Sequence, residues 1–189
     1  MRPVIVQEFL SLDGVMQGPG DASEFPGGGW QRQFVGDDHN AMILTQFVDA
    51  DALLLGRKTY EGFAAVWPTI RDEIGFANRI NAMAKYVASS TLREVSWNAT
   101  LLHGDVADAV KVLKEEPGKG LVVVGSRKFV RYLHKHDLVD EYRLWIHPII
   151  VGSGTRLFDE GLDTSRWQLK DVERTGEGVV VLTYRRPLK

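Results

Sequence analysis

The chain of 189 residues contains no cysteine. Disulfides, thiolate metal ligands and a cysteine nucleophile are therefore all excluded. The sequence also lacks any apolar run of membrane-spanning length, and polar residues interrupt its first residues too early for a signal peptide. We therefore expect a cytoplasmic protein without a membrane partner.

The sequence has little net charge, with a formal value of -2. This balance gives no electrostatic reason to expect nucleic acid as a partner. The contents of 44% hydrophobic and 25% charged residues are typical of a globular protein. Because no repeat, low-complexity segment or linker interrupts the chain, we predict a single domain over residues 1–189.

Several motifs of well-known sites are missing. Gly152-Ser153-Gly154 is followed by Leu157 where a dinucleotide fingerprint would have its third glycine, and neither a P-loop nor a G-x-S-x-G elbow occurs. A standard Rossmann site is therefore excluded. His134 and His136 lie two residues apart, a poor spacing for ligands on one helix face, so we predict no metal site.

One strand and the turn that follows it organise the rest of the chain. Leu121 to Val124 are four consecutive apolar residues, typical of a strand buried on both faces. Gly125 ends this strand, Ser126 suits a helix N-cap, and apolar residues then recur at helical spacing. The N–H groups at such a helix start can bind a phosphate. The alternative is an ordinary strand–helix turn.

A second turn of the same kind begins at Gly56, after the buried strand that includes residues 53–55. Arg57, Lys58 and Thr59 occupy its first helical turn. Cations there oppose the helix dipole, so local helix stability does not explain them, whereas a bound anion does. The alternative is a solvated basic pair.

Ser89 and Ser90 close the next strand and could add hydroxyl donors to the same phosphate. The alternative is that both are simple turn residues. Two strand–glycine–helix turns imply a ligand with more than one phosphate, as in a dinucleotide.

Periodicity predicts strands and helices that alternate as far as residue 136 and a final antiparallel section. This order is typical of an α/β fold with a mixed sheet. The predicted strands are 4–9, 51–56, 85–90, 99–102, 121–124, 141–147, 167–173 and 179–184, and the predicted helices lie around 34–47, 57–65, 73–84, 105–113 and 126–136.

These segments resemble a known family. Gly56-Arg57-Lys58-Thr59-Tyr60-Glu61 resembles the cofactor-phosphate motif of dihydrofolate reductases. Other segments resemble the reductase domain at the C-terminus of the bifunctional riboflavin-biosynthesis protein RibD: Ser11 to Gly14, Val124 to Leu133, Asp137 to Glu141, Pro148, Gly152 to Gly154, and Leu157-Phe158. No segment resembles the deaminase half of RibD, so we expect a stand-alone member.

The resemblance implies a dihydrofolate-reductase-like fold, with one mixed, mostly parallel sheet of eight strands flanked by helices. It also implies NADPH as the hydride donor. The residues that it assigns to the 2′-phosphate end of the cofactor are Arg57, Lys58, Thr59, Ser89 and Ser90. Those that it assigns to the rest of the cofactor site are Gly14, Gly56, Val124, Gly125, Ser126, Arg127 and Lys128, of which the last four face the pyrophosphate.

By this resemblance the protein is an NADPH-dependent reductase of a small heterocyclic or ribose-derived acceptor. Its nearest functional analogues would be dihydrofolate reductase and the 5-amino-6-(5-phosphoribosylamino)uracil reductase of riboflavin biosynthesis. A second hypothesis is a nucleotide-binding module without efficient catalysis. A third is a structural α/β protein that binds no cofactor.

Two carboxylates are candidates for the proton donor. Asp13 follows the first strand at the mouth of a Gly-rich loop, although it could be a turn residue before Gly14. Asp37 shares a helical side with Ala41, Leu44 and Val48, which predicts that it points inward. The alternative for Asp37 is a first-turn residue favoured by the helix dipole.

We also predict a homodimer. The antiparallel end of the chain carries apolar residues that look exposed in the sequence, namely Leu144, Ile146, Ile149 and Val151. A sheet edge at this end would need to be covered.

Overall fold

A computed structural model describes residues 1–187, which form one eight-stranded sheet flanked by helices. The predicted fold class is confirmed, including the antiparallel final section. The sheet order is β4-β3-β2-β5-β1-β6-β8-β7. The strands are β1 (Val4–Ser11), β2 (Ala50–Gly56), β3 (Ala84–Ala88), β4 (Ala99–Leu101), β5 (Gly120–Val123), β6 (Glu141–His147), β7 (Gln168–Arg174) and β8 (Val180–Arg185).

Five α-helices connect the parallel strands. They are α1 (Asp37–Gln46), α2 (Arg57–Val66), α3 (Phe76–Ala82), α4 (Val106–Glu115) and α5 (Arg127–Lys135). The helix predicted over residues 73–84 is shorter, because Gly75 has a φ of 81° and Ala84 already belongs to β3. The carboxylate of Asp72 accepts a 2.9 Å hydrogen bond from the N–H of Phe76 at the start of α3.

The two faces of the sheet carry separate hydrophobic clusters. On one face, α4 and α5 pack Val110 and Leu133 against Val123. The cluster on the other face includes Phe47, directly after α1, Ile80 of α3 and Val122 of β5. Side chains of a strand alternate between faces, and covering both faces explains why β5 reads as a continuous apolar run.

The Gly-rich segment between β1 and α1 folds back on the sheet. Trp30 is buried, and its Nε1–H donates a 2.9 Å hydrogen bond to the carbonyl of Gln17. Its ring centroid lies 5.2 Å from that of His147 on β6. A short 3-10 helix, Arg32–Phe34, then leads towards α1. The segment thus covers the end of the sheet beside α1.

The apolar residues that suggested a dimer surface are not freely exposed. Leu144 is buried, and Ile146, Ile149 and Val151 are half-buried against the same chain. The strongly exposed apolar side chains at this end are those of Ile150, Leu169 and Val172. Leu169 and Val172 belong to the edge strand β7, whereas the four residues named from the sequence are buried or half-buried. Within residues 1–187, no helix combines the length and apolar character needed to cross a membrane.

Candidate active site

The two predicted phosphate turns lie side by side at the carboxyl end of two central strands. The strands β2 and β5 are adjacent and parallel; α2 begins directly after β2, and α5 begins after the three residues that follow β5. The contact is tight: a Cβ added to Gly56 would lie 2.6 Å from Oγ of Ser126. Two helix N-termini therefore face the same space, as binding of several phosphate groups requires.

Gly125 is the middle residue of the turn between β5 and α5. It has a φ of 65°, and its peptide bond to Ser126 is cis. A Cβ at this position would lie 2.8 Å from Oγ1 of Thr59. Its N–H donates a 2.6 Å hydrogen bond to Oε1 of Glu8. Only glycine meets both the backbone and the space requirement here.

Glu8 was not predicted as a site residue. It lies in β1 and is buried, and this burial raises the pKa of its carboxyl from 4.5 to about 8, against the lowering effect of the Gly125 hydrogen bond. The carboxyl is therefore mainly protonated at neutral pH. The sequence held a signal for it, because Gln7 and Glu8 are adjacent polar residues inside a strand covered on both faces.

The residues assigned to the 2′-phosphate end are only partly brought together, and the contacts begin at Arg57. Its Nε–H donates to Glu61 at 2.8 Å, and its Nη1 donates to Oγ1 of Thr91 at 2.5 Å. The Oγ of Ser89 accepts hydrogen bonds from the N–H groups of Thr91 and Leu92. Thr91 is a contact that the sequence reasoning missed. Three further assigned residues, Lys58, Thr59 and Ser90, follow β2 and β3 at the same end of the sheet.

The basic side chains of α5 form ion pairs that the sequence did not predict. Ser126 occupies the N-cap position, but its side chain makes no capping hydrogen bond. Arg127 and Arg131 both form ion pairs with Asp159. Nε of Arg127 is buried without a partner among the described residues, and Lys128 is exposed. Gly14 has a φ of 79° in the turn after β1.

Asp13 has a clear structural role. Its carboxylate accepts hydrogen bonds from Oγ of Ser11 at 2.7 Å and from the N–H groups of Val151 and Gly152 at 3.1 and 3.0 Å. These bonds, that from Ser11 first, lower its pKa from 3.8 to about 2. A carboxylate that is ionised at neutral pH has no proton to donate. Its role as the acid stays a prediction that these surroundings do not favour.

Asp37 is exposed at the start of α1, so the prediction that it points inward is wrong. The inward side of the helix instead carries His39, Ile43 and Phe47, which are four residues apart. Asp37 suits the first turn of a helix because of the dipole. The spacing of His39, Ile43 and Phe47 was a signal that the sequence reasoning passed over.

An apolar pocket of about 240 Å³ opens beside the phosphate turns. Val124, the residue before Gly125, lines it, as does Phe63 of α2. The remaining wall comes mainly from β1, α1 and α3. The pocket and the turns therefore share one strand end and one helix.

The polar side chains of this pocket are neutral. Gln7, Gln31, His39 and Asn40 line it, and no Asp, Glu, Lys or Arg does. Burial lowers the pKa of His39 below its usual 6.5, despite opposite contributions from Asn40 and Glu177. Oε1 of Gln7 and Nδ1 of His39 are buried without a hydrogen-bond partner among the described residues.

The chain matches the RibD C-terminal domain family over residues 2–181. It belongs to this family. As a RibD C-terminal domain, it is also 29% identical over 147 residues to the uncharacterized protein YyaP of Bacillus subtilis, a match that covers 76% of this chain and 78% of YyaP.

Solved structures share the fold of this RibD C-terminal domain. A putative riboflavin biosynthesis protein from Shewanella superposes with a TM-score of 0.77 and 21% identity, covering 98% of this chain and 99% of that one. Dihydrofolate reductase from Enterococcus faecalis, complexed with NADP(H), superposes with a TM-score of 0.64 and 16% identity, covering 97% and 96%. Family and neighbours together support an oxidoreductase of the reductase type.

Proposed function

We propose that the protein is an NADPH-dependent reductase that transfers hydride to a small heterocyclic or ribose-derived acceptor. The observation that carries the proposal is the position of two phosphate-type turns beside an apolar pocket, with Val124 and Gly125 joining the two. Adjacent sites of this kind suit a dinucleotide and a second small molecule held against it.

The residues present fit such a cofactor. The guanidinium of Arg57, two of whose nitrogens also donate to Glu61 and Thr91, supplies positive charge for the 2′-phosphate, together with Lys58, Thr59 and the Ser89-Ser90 pair. The N–H groups at the start of α5, from Ser126 to Lys128, suit the pyrophosphate. When bound, NADPH supplies the hydride chemistry, and the chain binds, orients and excludes water.

The acceptor is proposed to resemble a pterin or an aminouracil. In the first case the activity would be like that of dihydrofolate reductase. In the second it would be like that of the 5-amino-6-(5-phosphoribosylamino)uracil reductase of riboflavin biosynthesis. The flat, apolar walls of the pocket, which include Phe9, Trp67 and Phe76, favour a planar ring in either case.

A nucleotide-binding module without efficient catalysis is the second candidate. One observation favours it: no carboxylate lines the pocket, so no acid of that type stands ready to protonate an acceptor. We also propose a homodimer, supported by the exposed Leu169 and Val172 on the edge strand β7.

A titration followed by a turnover assay separates these candidates. NADPH and NADH are each added while quenching of tryptophan fluorescence is followed, and pterins and aminouracils are then offered with saturating NADPH. We expect tighter binding of NADPH than of NADH, and oxidation of NADPH with an acceptor from one of the two classes. Binding without oxidation by any acceptor would favour the module, and no binding of either nucleotide would refute both.

A further inference from the structure

Glu8 is a buried acid in surroundings that contain no counter-charge. It is 4% exposed, and its neighbours on the same face of the sheet are the apolar residues Val6, Leu10 and Leu144. Burial raises the pKa of its carboxyl to about 8 against the lowering effect of the Gly125 hydrogen bond, and no cation among residues 1–187 acts on that pKa. An acid in such a place is held uncharged, because an isolated charge is costly to desolvate.

The elements packed around Glu8 offer its charge no compensation. On β6, burial raises the pKa of the Tyr142 hydroxyl and a charge on Glu8 raises it further, so this hydroxyl stays neutral. The cations Arg127 and Arg131 of α5 pair with Asp159 instead. The residues that α5 packs into the same cluster are Phe129, Val130 and Leu133. Ionisation of Glu8 therefore leaves a negative charge without a partner in this part of the structure.

The carboxyl of Glu8 contacts the backbone of the turn after β5. Its Oε1 accepts a 2.6 Å hydrogen bond from the N–H of Gly125, which directly precedes Ser126 at the start of α5. Gly125 also lies close to Thr59 of the neighbouring turn, since an added Cβ would be 2.8 Å from Oγ1 of Thr59. Glu8 thus holds the peptide unit next to the N–H groups that we propose for the pyrophosphate.

The charge on Glu8 matters to an anion bound at this turn. The diphosphate of a dinucleotide is negatively charged, and two like charges at short range repel each other strongly where water is excluded. The neutral carboxyl accepts the same hydrogen bond from Gly125 without this repulsion. The two protonation states of Glu8 therefore differ in how well the turn accepts a diphosphate.

We propose that Glu8 is a positioning residue of the cofactor site, which holds the Gly125 turn as an uncharged acid and weakens dinucleotide binding when it ionises. The inference rests on the proposed function in taking a dinucleotide as the ligand of this turn. In alkaline solution, binding returns Glu8 to its neutral form and takes up a proton. The affinity for the dinucleotide is therefore highest in neutral solution and falls as the pH rises.

Two ligands test this role by calorimetric titration of the wild type at pH 7, 8 and 9. NADPH carries the diphosphate, whereas adenosine 2′-monophosphate carries the 2′-phosphate without it. We expect the affinity for NADPH to fall about tenfold between pH 7 and pH 9, because a group that titrates near pH 8 must be reprotonated on binding. The affinity for adenosine 2′-monophosphate should stay level. A level profile for NADPH, or equal falls for the two ligands, would overturn the proposal.

Two substitutions of Glu8 separate its charge from its hydrogen bond. Glu8→Gln keeps an acceptor for Gly125 and cannot ionise, so it should remove the fall and bind NADPH about tenfold more tightly than the wild type at pH 9. Glu8→Leu leaves the N–H of Gly125 without an acceptor, so it should bind NADPH more weakly at every pH, with a level profile. The exposed Glu115→Gln is the control and should reproduce the wild-type profile. A fall in Glu8→Gln as large as in the wild type would contradict the assignment.

The wild-type titrations keep this inference apart from the proposed function, and they do not depend on the folding of any variant. Protein that binds neither ligand at any pH refutes the proposed cofactor, and the role of Glu8 with it. Protein that binds NADPH with the same affinity from pH 7 to pH 9 keeps the proposed cofactor and refutes the role of Glu8 alone.

Discussion

Oε1 of Glu8 accepts a 2.6 Å hydrogen bond from the N–H of Gly125, so a buried carboxyl on β1 holds the turn that follows β5. This contact links strands whose residues are more than a hundred positions apart in sequence. It also puts a titratable group next to the turn that we propose for the pyrophosphate.

The first prediction concerns the pH dependence of stability. The folded protein raises the pKa of Glu8 from 4.5 to about 8, so between these values it holds a proton that the unfolded chain has lost. The free energy of unfolding should therefore fall as the pH rises through this window, by about 1.4 kcal/mol for each unit of pKa difference that is realised. Glu8→Gln should flatten this fall, as measured by urea unfolding at several pH values. The exposed Glu115→Gln is the control, and an unchanged fall in the Glu8 variant would contradict the assignment.

The second prediction compares two glycines of the same region. Gly56→Ala places a Cβ 2.6 Å from Oγ of Ser126 and 3.1 Å from Cβ of Phe129, whereas a Cβ at Gly62 meets no atom within 4 Å. We expect Gly56→Ala to lose about 1–3 kcal/mol of stability through overpacking and to weaken NADPH binding. Gly62→Ala, inside α2, should gain roughly 0.5–1 kcal/mol. Thermal unfolding and nucleotide titration measure both, and similar behaviour of the two variants would mean that the turns are not in contact.

The third prediction concerns cofactor choice. Removing a charge-assisted hydrogen bond costs about 1.5–3 kcal/mol. Arg57→Ala should therefore weaken NADPH by about tenfold or more and leave NADH almost unchanged. Lys111→Ala, which removes an exposed cation from α4, is the matched control. Equal losses for the two nucleotides would remove Arg57 from the 2′-phosphate.

The fourth prediction tests the two proposed acids. Asp37 is exposed, so Asp37→Asn should keep the wild-type rate of hydride transfer across the pH range under saturating NADPH. Asp13→Asn should lower the melting temperature, because an amide replaces one of the carboxylate acceptors that hold Val151 and Gly152. A limb of the pH–rate profile that disappears in either variant would restore that residue as the acid.

The fifth prediction concerns the edge strand β7. Light scattering at micromolar concentration should give the mass of two chains. Leu169→Lys combined with Val172→Lys should reduce it to one chain, because charges on an edge strand oppose pairing. Val112→Lys, at an exposed position of α4, should change nothing. A single-chain mass for the wild type would count against the homodimer.

The strand and turn positions were largely predictable because they depend on local signals. Residues 121–124 form an apolar run bounded by Gly125, and their position in the middle of the sheet follows directly from burial on both faces. The Gly56 turn could be recognised from cations placed where a helix dipole disfavours them. Such signals need no knowledge of distant residues.

The pocket was not predictable in the same way because its polar atoms come from distant segments. Gln7, Gln31 and His39 line one pocket only when β1 and α1 pack together. The inward side of α1 was also misjudged, since a short helix with few apolar residues allows more than one choice of buried face. The prediction for Asp37 took one helix face as buried, whereas the structure buries the face that carries His39.

The position of β1 in the sheet has a consequence for how the protein folds. Within residues 1–187, this strand pairs with β5 and β6, whose residues span 120–147. β1 therefore gains its first neighbour in the sheet only after the residues between β1 and β5 have been made. Forming such distant pairs is slow because the chain must close a long loop first. A ligand that bridges the turns after β2 and β5 can bind only after these two strands have paired.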